Sequence, residues 1–250
     1  MKRKRLKNTD GYSLFELVVV IVIMGIITAV SLRSMRNTTE VTRTEETRAE
    51  LDALAAAIAG NPDLISGGNR TDYGYLGDIG SLPSSLSQLV TNPGYATWDG
   101  PYVGDEFTAG GADDEYQYDA WGQQYSYSGG VTISSTGSGS TITRDIAGSA
   151  AELTLNAITT VITDLSHDPP GSIYRDSVKA VLIYPNGTGS TSQRTKYPGS
   201  DGLVQFDSIP IGRHTLWVIY VPTNDTLKRA VSVDPGAATH LETQMHDDLW

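Results

Sequence analysis

The 250-residue sequence contains no cysteine. Disulfides, thiolate catalysis and cysteine-ligated zinc are therefore excluded. The compartment stays open, because an exported domain need not carry disulfides. Histidine is scarce. His167, His214, His240 and His246 stand apart, with neither H-E-x-x-H nor H-x-H spacing. No serine lies in G-x-S-x-G. The Gly-Ser run 137–140 is followed by no Lys-Ser/Thr step, so it is a connector rather than a phosphate loop. No enzyme is expected, although scattered carboxylates leave open an acid pair that meets only in space. Basic charge is also short. The chain has 18 Lys+Arg against 29 Asp+Glu, a net charge of −11, and a phosphate backbone wants a basic face, so nucleic acid is not expected as a partner. Proline is missing before Pro62.

The few bases are unevenly placed. Lys2, Arg3, Lys4, Arg5 and Lys7 crowd the extreme N-terminus, and the remainder is more acidic for it. Leu14 to Val30 comes next, apolar except for Glu16, Gly25 and Thr28. With Ser31 and Leu32 it approaches the about 20 residues that span a bilayer as a helix. Bases before an apolar run keep the N-terminus cytoplasmic. Three readings remain open. One is a secretory signal peptide, with small residues at Ala29-Val30-Ser31, although its apolar run exceeds the usual about 7–15 residues. The second is a plain anchor whose acid reaches back to the interface. The third must explain why an acid sits there at all, since it costs roughly 2.5–3.5 kcal/mol in bilayer.

The order Gly11, Tyr12, Glu16 resembles the N-terminus of type IV pilins and type II secretion pseudopilins. In that family a basic leader ends in Gly, an aromatic follows, and an acid comes four residues later in an apolar helix. The resemblance implies cleavage by prepilin peptidase after Gly11 and methylation of the new amine of Tyr12. It implies that this amine pairs with Glu16 of a neighbouring subunit. Such a buried pair is a registry device more than a source of stability. Gly25 falls where the family has a helix glycine. Tyr12 stands for the commoner Phe, and the helix proline of the major subunits is absent.

Residues 33–59 have helix composition, with Arg36/Glu40, Arg43/Glu46 and Glu45/Arg48 at supporting spacings. Leu51, Leu54 and Ile58 form a stripe expected to lie on a sheet, and Gly60-Asn61-Pro62 is a stop. A helix from Tyr12 to Ala59 would be about 70 Å long. Beyond it, Ser84 or Ser85 is placed to cap a short helix with Leu86, Leu89 and Val90. Two tryptophan turns come after it: Trp98-Asp99-Gly100-Pro101-Tyr102, then Asp119-Ala120-Trp121-Gly122 with Tyr125. Both resemble motifs of the major pseudopilin, with Ala120 for the family's proline, and both are expected to hold the head together. Tyr125 and Tyr127 alternate with serines as a strand does. The family's calcium loop corresponds to 135–148, where Asp145 is the only acid. Calcium wants several carboxylates among six to eight oxygens, so no metal site is assigned. The run Asp113, Asp114, Glu115 leaves calcium open as the one cofactor.

The resemblance to pseudopilins ends near Gly148. After it, Val178–Tyr184 alternates and turns at Pro185-Asn186-Gly187; strands are expected on either side of 209–212 and at 227–236 and 238–245. Leu153 to Asp164 reads as strand, with helix as the alternative. Short strands at this spacing predict a β-sandwich. Asp201-Gly202, Phe206, Ile209-Pro210-Ile211-Gly212 and Thr215-Leu216 look like the carboxypeptidase regulatory, transthyretin-like sandwich family, whose members are accessory modules; that fold alone implies no activity.

The expected fold is α+β: a basic leader over 1–11, a helix over 12–59 with its transmembrane part at 12–32, a small antiparallel-sheet head over 60–148 and an all-β sandwich over 149–250. The expected function is a pseudopilin-type subunit of a type II secretion-like filament. Its partners would be copies of itself, other pilin-like subunits, prepilin peptidase and an inner-membrane assembly platform. It would start as a single-pass protein of the bacterial inner membrane, N-terminus cytoplasmic and C-terminal domains periplasmic, and then join a filament. The alternatives are a surface pilin or adhesin whose sandwich binds a ligand outside the cell, and a bitopic protein with an ordinary anchor.

Overall fold

The computed structural model describes residues 13–104, 107 and 115–250. The chain divides into two compact units at Glu45/Glu46. The first helix, α1, is continuous over Leu14–Ala59. Its first half is apolar because the sequence is, and residues 13–42 are all exposed. Among the described residues it is the one helix long and apolar enough to cross a membrane. Burial begins at Thr47 and continues through Leu51, Leu54 and Ile58. Ala59 ends the helix, and Gly60 stands next at φ +81°. A Cβ at Gly60 would overlap the Asp72 carbonyl, so glycine is required there. The Arg70 guanidinium donates to the Ala59 carbonyl at 2.5 Å and so satisfies one orphan group of the helix end.

The described residues of 60–148 hold little regular structure. Strands β1 (Ile65–Ser66) and β2 (Asn69–Arg70) form one antiparallel pair. Helix α2 spans Gly74–Ile79, and a 3-10 turn covers Leu86–Leu89. Strands β3 (Thr132–Ser135) and β4 (Ile142–Asp145) form a second antiparallel pair. Two isolated antiparallel bridges, Gln124 to Tyr118 and Ser126 to Ser134, flank Tyr125, so the stretch around Tyr125 and Tyr127 is strand-like without being a full strand. The stripe of Leu51, Leu54 and Ile58 therefore meets no broad sheet. It shares a cluster with Tyr75, Ile79, Leu86, Leu89, Tyr125 and Ile133, of which Ile133 alone lies in a strand. Ser85 takes the position before the 3-10 turn without capping it through its side chain.

Residues 149–250 are mostly β. Helix α3 (Ala150–Thr154) opens with a Ser149–Glu152 capping box, in which the Glu152 N–H donates to the serine oxygen at 3.3 Å. It precedes β5 (Asn156–Thr163), so Leu153–Asp164 is mainly strand with a helical start. A short helix α4 spans Gly171–Tyr174. Strands β6 (Val178–Pro185), β7 (Thr191–Lys196), β8 (Leu203–Ile209), β9 (Gly212–Tyr220), β10 (Asp225–Val233) and β11 (Ala238–Gln244) complete the set. One sheet runs β10-β9-β6-β7 and is antiparallel throughout; the other runs β11-β5-β8, with β11 parallel to β5.

The inner faces meet in one core that includes Ile158, Ile162, Phe206, Leu182, Leu216, Val218 and Val233. Strict alternation would put Phe206 and Ile209 on opposite faces. Ser208 at φ +56° and a register shift opposite Asn156–Ile158 restore both to the core. Arg194 of β7 donates to the Asp207 carbonyl of β8, and Arg229 of β10 donates to the Glu242 carbonyl of β11. Each arginine ties an outer strand of one sheet to the other sheet, which occupies edge groups that otherwise invite another strand.

Candidate functional site

Candidate residues fall in two places, at the start of α1 and in the head. Gly11 and Tyr12 lie outside the described residues, as do Asp113 and Asp114. Glu16 is in the first turn of α1. Its carboxylate accepts the Ser13 N–H at 2.9 Å, while the Glu16 N–H donates to the Ser13 hydroxyl at 3.2 Å. This is a capping box, with a negative charge at the positive end of the helix. The acid thus has a role within its own chain. Nine residues on, Gly25 has open space where a Cβ would stand. It leaves a smooth patch in an apolar helix surface.

The first tryptophan turn is a packed knot. The Trp98 indole N–H donates to the Gln88 carbonyl at 2.8 Å, and the Tyr102 N–H donates to the Leu89 carbonyl at 2.8 Å. These bonds anchor the turn to the short 3-10 segment before it. Tyr102 stands edge-on to both Trp98 and Tyr75, each with a centroid separation of 5.6 Å. Its hydroxyl donates to Asp78 at 2.8 Å and accepts from the Asp99 N–H at 3.0 Å. Gly100 lies under the Trp98 ring, where a Cβ would clash, and its peptide bond to Pro101 is cis. Burial raises the Asp78 carboxyl above its ordinary value, opposed by the Tyr102 hydrogen bond.

Asp119 organises the second turn. It is buried, and its two carboxylate oxygens accept four hydrogen bonds. One oxygen takes the N–H groups of Trp121 at 3.0 Å and Gln123 at 2.9 Å. The other takes the Ser135 hydroxyl at 2.5 Å and the Gly137 N–H at 3.1 Å. Gly122, at φ +77°, donates to the Asp119 carbonyl at 2.7 Å and closes the turn. The motif also grips α1. The Ala120 N–H donates to Thr47 at 3.2 Å, and the Tyr125 hydroxyl donates to Glu50. Burial raises the Glu50 carboxyl, the Tyr125 bond opposes this, and the charges of Glu46, Asp119 and Glu115 add to the rise.

The two turns flank the outer part of α1 from 47 to 58. Among the described residues no group of three His, Asp or Glu side chains is placed to hold a metal ion. The buried histidine, His214, bonds through Nε2 to the Pro210 carbonyl at 2.7 Å, and burial lowers its pKa. Sequence reasoning missed the two capping boxes, although Ser-x-x-Glu is a readable signal at both 13–16 and 149–152. It also missed Arg70 as the cap of α1, for which no local spacing exists.

No family model and no curated protein matches the chain. Among solved structures it is distantly similar to the dioxygenase domain of a dioxygenase–carbohydrate-binding fusion from Streptomyces sp. SirexAA-E, at 10% identity and TM-score 0.29 over 41% of this chain and 86% of that one. The TIE protein of Bacillus anthracis aligns at 15% identity and TM-score 0.28, over 36% and 16% of the two chains. A group B streptococcus pilus 2b backbone protein aligns at 12% identity and TM-score 0.25, over 46% and 48%. Likenesses this distant bear on neither the chemistry nor the partners of the chain.

Proposed function

We propose that the chain is a pilin-like subunit, of the pseudopilin type, in a type II secretion-like filament. It is cut after Gly11, assembles through α1, and presents the C-terminal β domain as an interaction module. The observation that carries this reading is the first half of α1: an apolar helix exposed over its whole length, with one acid in its first turn. Such a surface needs lipid or other helices around it. A subunit that moves from bilayer to filament meets both in turn. The leader and the two tryptophan turns support the same reading by resemblance. Peptide mass mapping of the mature N-terminus tests it. The expected product begins at a methylated Tyr12. An uncut chain, or one cut after Ser31, overturns the proposal.

One observation favours a second reading, a bitopic protein with an ordinary anchor. The Ser13–Glu16 capping box accounts for the acid without a second subunit. Gln serves in a capping box as well as Glu does, so two variants separate the readings. If Glu16 pairs with an amine, Glu16→Gln abolishes subunit cross-linking as completely as Glu16→Ala. If Glu16 only caps, Glu16→Gln behaves as wild type.

A further inference from the structure

Between the apolar half of α1 and its buried end lies Asn37-Thr38-Thr39-Glu40-Val41-Thr42-Arg43-Thr44. Six of these eight residues belong to the weaker helix formers, because β-branching and local side-chain bonding favour other backbone states. The last part of the helix is of opposite character: residues 49–59 contain six alanines, the strongest helix former. All four threonine hydroxyls turn back onto the helix. Thr38 donates to the Ser34 carbonyl at 3.0 Å, Thr39 to Met35 at 3.0 Å, Thr42 to Thr38 at 3.0 Å and Thr44 to Glu40 at 2.8 Å. A hydroxyl bonded to the carbonyl four residues earlier competes with the backbone bond there, and it bends and weakens helices.

Nothing in the core compensates. Residues 37–42 are exposed, Arg43 and Thr44 are half-buried, and the first buried side chain of α1 is Thr47. Helices gain most of their stability from a packed face. The stretches on both sides are held by other means. Residues 47–59 are packed into the core, and 14–32 are apolar enough to sit in lipid, where every backbone group must be bonded. The weak stretch also ends at the boundary between the two compact units.

We infer that Asn37–Thr44 is a built-in joint, a segment of α1 whose backbone bonds open locally and let the helix axis bend while the flanking segments stay closed. The threonines make it soft, and they do so without a proline.

Hydrogen–deuterium exchange of the full chain in lipid nanodiscs tests this. Amides of 37–44 are expected to exchange at least tenfold faster than those of 48–58. Replacing Thr38, Thr39, Thr42 and Thr44 together by Ala is expected to slow exchange across 37–44 by at least tenfold and to leave the exchange of 60–148 unchanged. Protection of 37–44 equal to that of 48–58 in the wild type overturns the inference, and so does an alanine variant that exchanges like the wild type. The readout needs neither cleavage nor filament assembly, so it stands or falls apart from the pilin-like reading.

Discussion

Asp119 shows how one carboxylate holds a turn that has almost no regular backbone pairing of its own. Its four hydrogen bonds join residues 121, 123, 135 and 137 around one point. Removing it leaves the buried Ser135 hydroxyl and three part-buried N–H groups without this partner, which is costlier than losing the bonds themselves. Asp119→Ala is expected to destabilise the head by about 2–4 kcal/mol, measured by denaturant titration of the detergent-solubilised chain. A loss under half of that would mean water replaces the carboxylate. Glu50 makes the opposite case. Its folded-state carboxyl is raised above the ordinary 4.5, mainly by burial. The folded chain therefore keeps a proton that the unfolded chain has already released. That contribution to stability is complete below about pH 4.5 and is lost as pH rises through the folded value. Glu50→Gln keeps an acceptor for Tyr125 and has no charge to bury. It should match the wild type at the acid end and exceed it at pH 7.5. Equal stability curves at both ends would show that the burial of Glu50 carries no cost.

Strands and helices differ in how plainly the sequence announces them. Most strands of the sandwich alternate, and their turns carry Gly, Pro and Asn, so β6 and β8 to β11 stand near where period-two reasoning places them, whereas β7, Thr-Ser-Gln-Arg-Thr-Lys, has no apolar residue for that reasoning to find. The boundary of α1 at Gly60 is equally readable. The head is not, because its form rests on side chains that bond to distant backbone. Asp72 receives the N–H of Asn61 at 2.7 Å, Asp119 reaches Gly137, and the Trp98 indole reaches Gln88. Separations of ten to eighteen residues leave no periodic trace. Capping lies in between. Ser149-x-x-Glu152 is visible in one dimension, and its Glu152 carboxylate also accepts the Gly148 N–H at 3.1 Å. Ser149→Ala removes one half of this box. The expected cost is about 1 kcal/mol, read as a shift in the thermal midpoint. No shift would mean that α3 is held by Leu153 alone, whose side chain is wholly buried.

Leu153 also belongs to the joint between the head and the sandwich. The sequence changes character near Gly148, yet Glu46–Trp250 forms one compact unit. Ala59, Tyr73 and Leu76 share a cluster with Leu153 and Ile211. Backbone bonds cross the same joint: the Gly187 N–H donates to the Ile79 carbonyl at 2.7 Å, and the Ala96 N–H donates to the Gly189 carbonyl at 2.8 Å. Gly80 and Gly189 have no room for a Cβ, because Pro185 and the Tyr95 ring fill the space. A sandwich fastened this way is an extension of the head rather than a module on a tether. Cooperative unfolding should result, since neither part can open without exposing the shared cluster. The four tryptophans divide evenly, with Trp98 and Trp121 in the head and Trp217 and Trp250 in the sandwich. Two variants, each keeping one pair and carrying Phe at the other, report on each part by fluorescence. With the midpoint of each variant corrected for its own substitutions by far-UV dichroism, both probes are expected to follow a single transition. Leu153→Ala opens a cavity in the shared cluster and should cost about 2–5 kcal/mol; if the joint is what couples the parts, it also draws the two transitions apart. Two transitions in the wild type would show that the sequence boundary near Gly148 is a physical boundary as well.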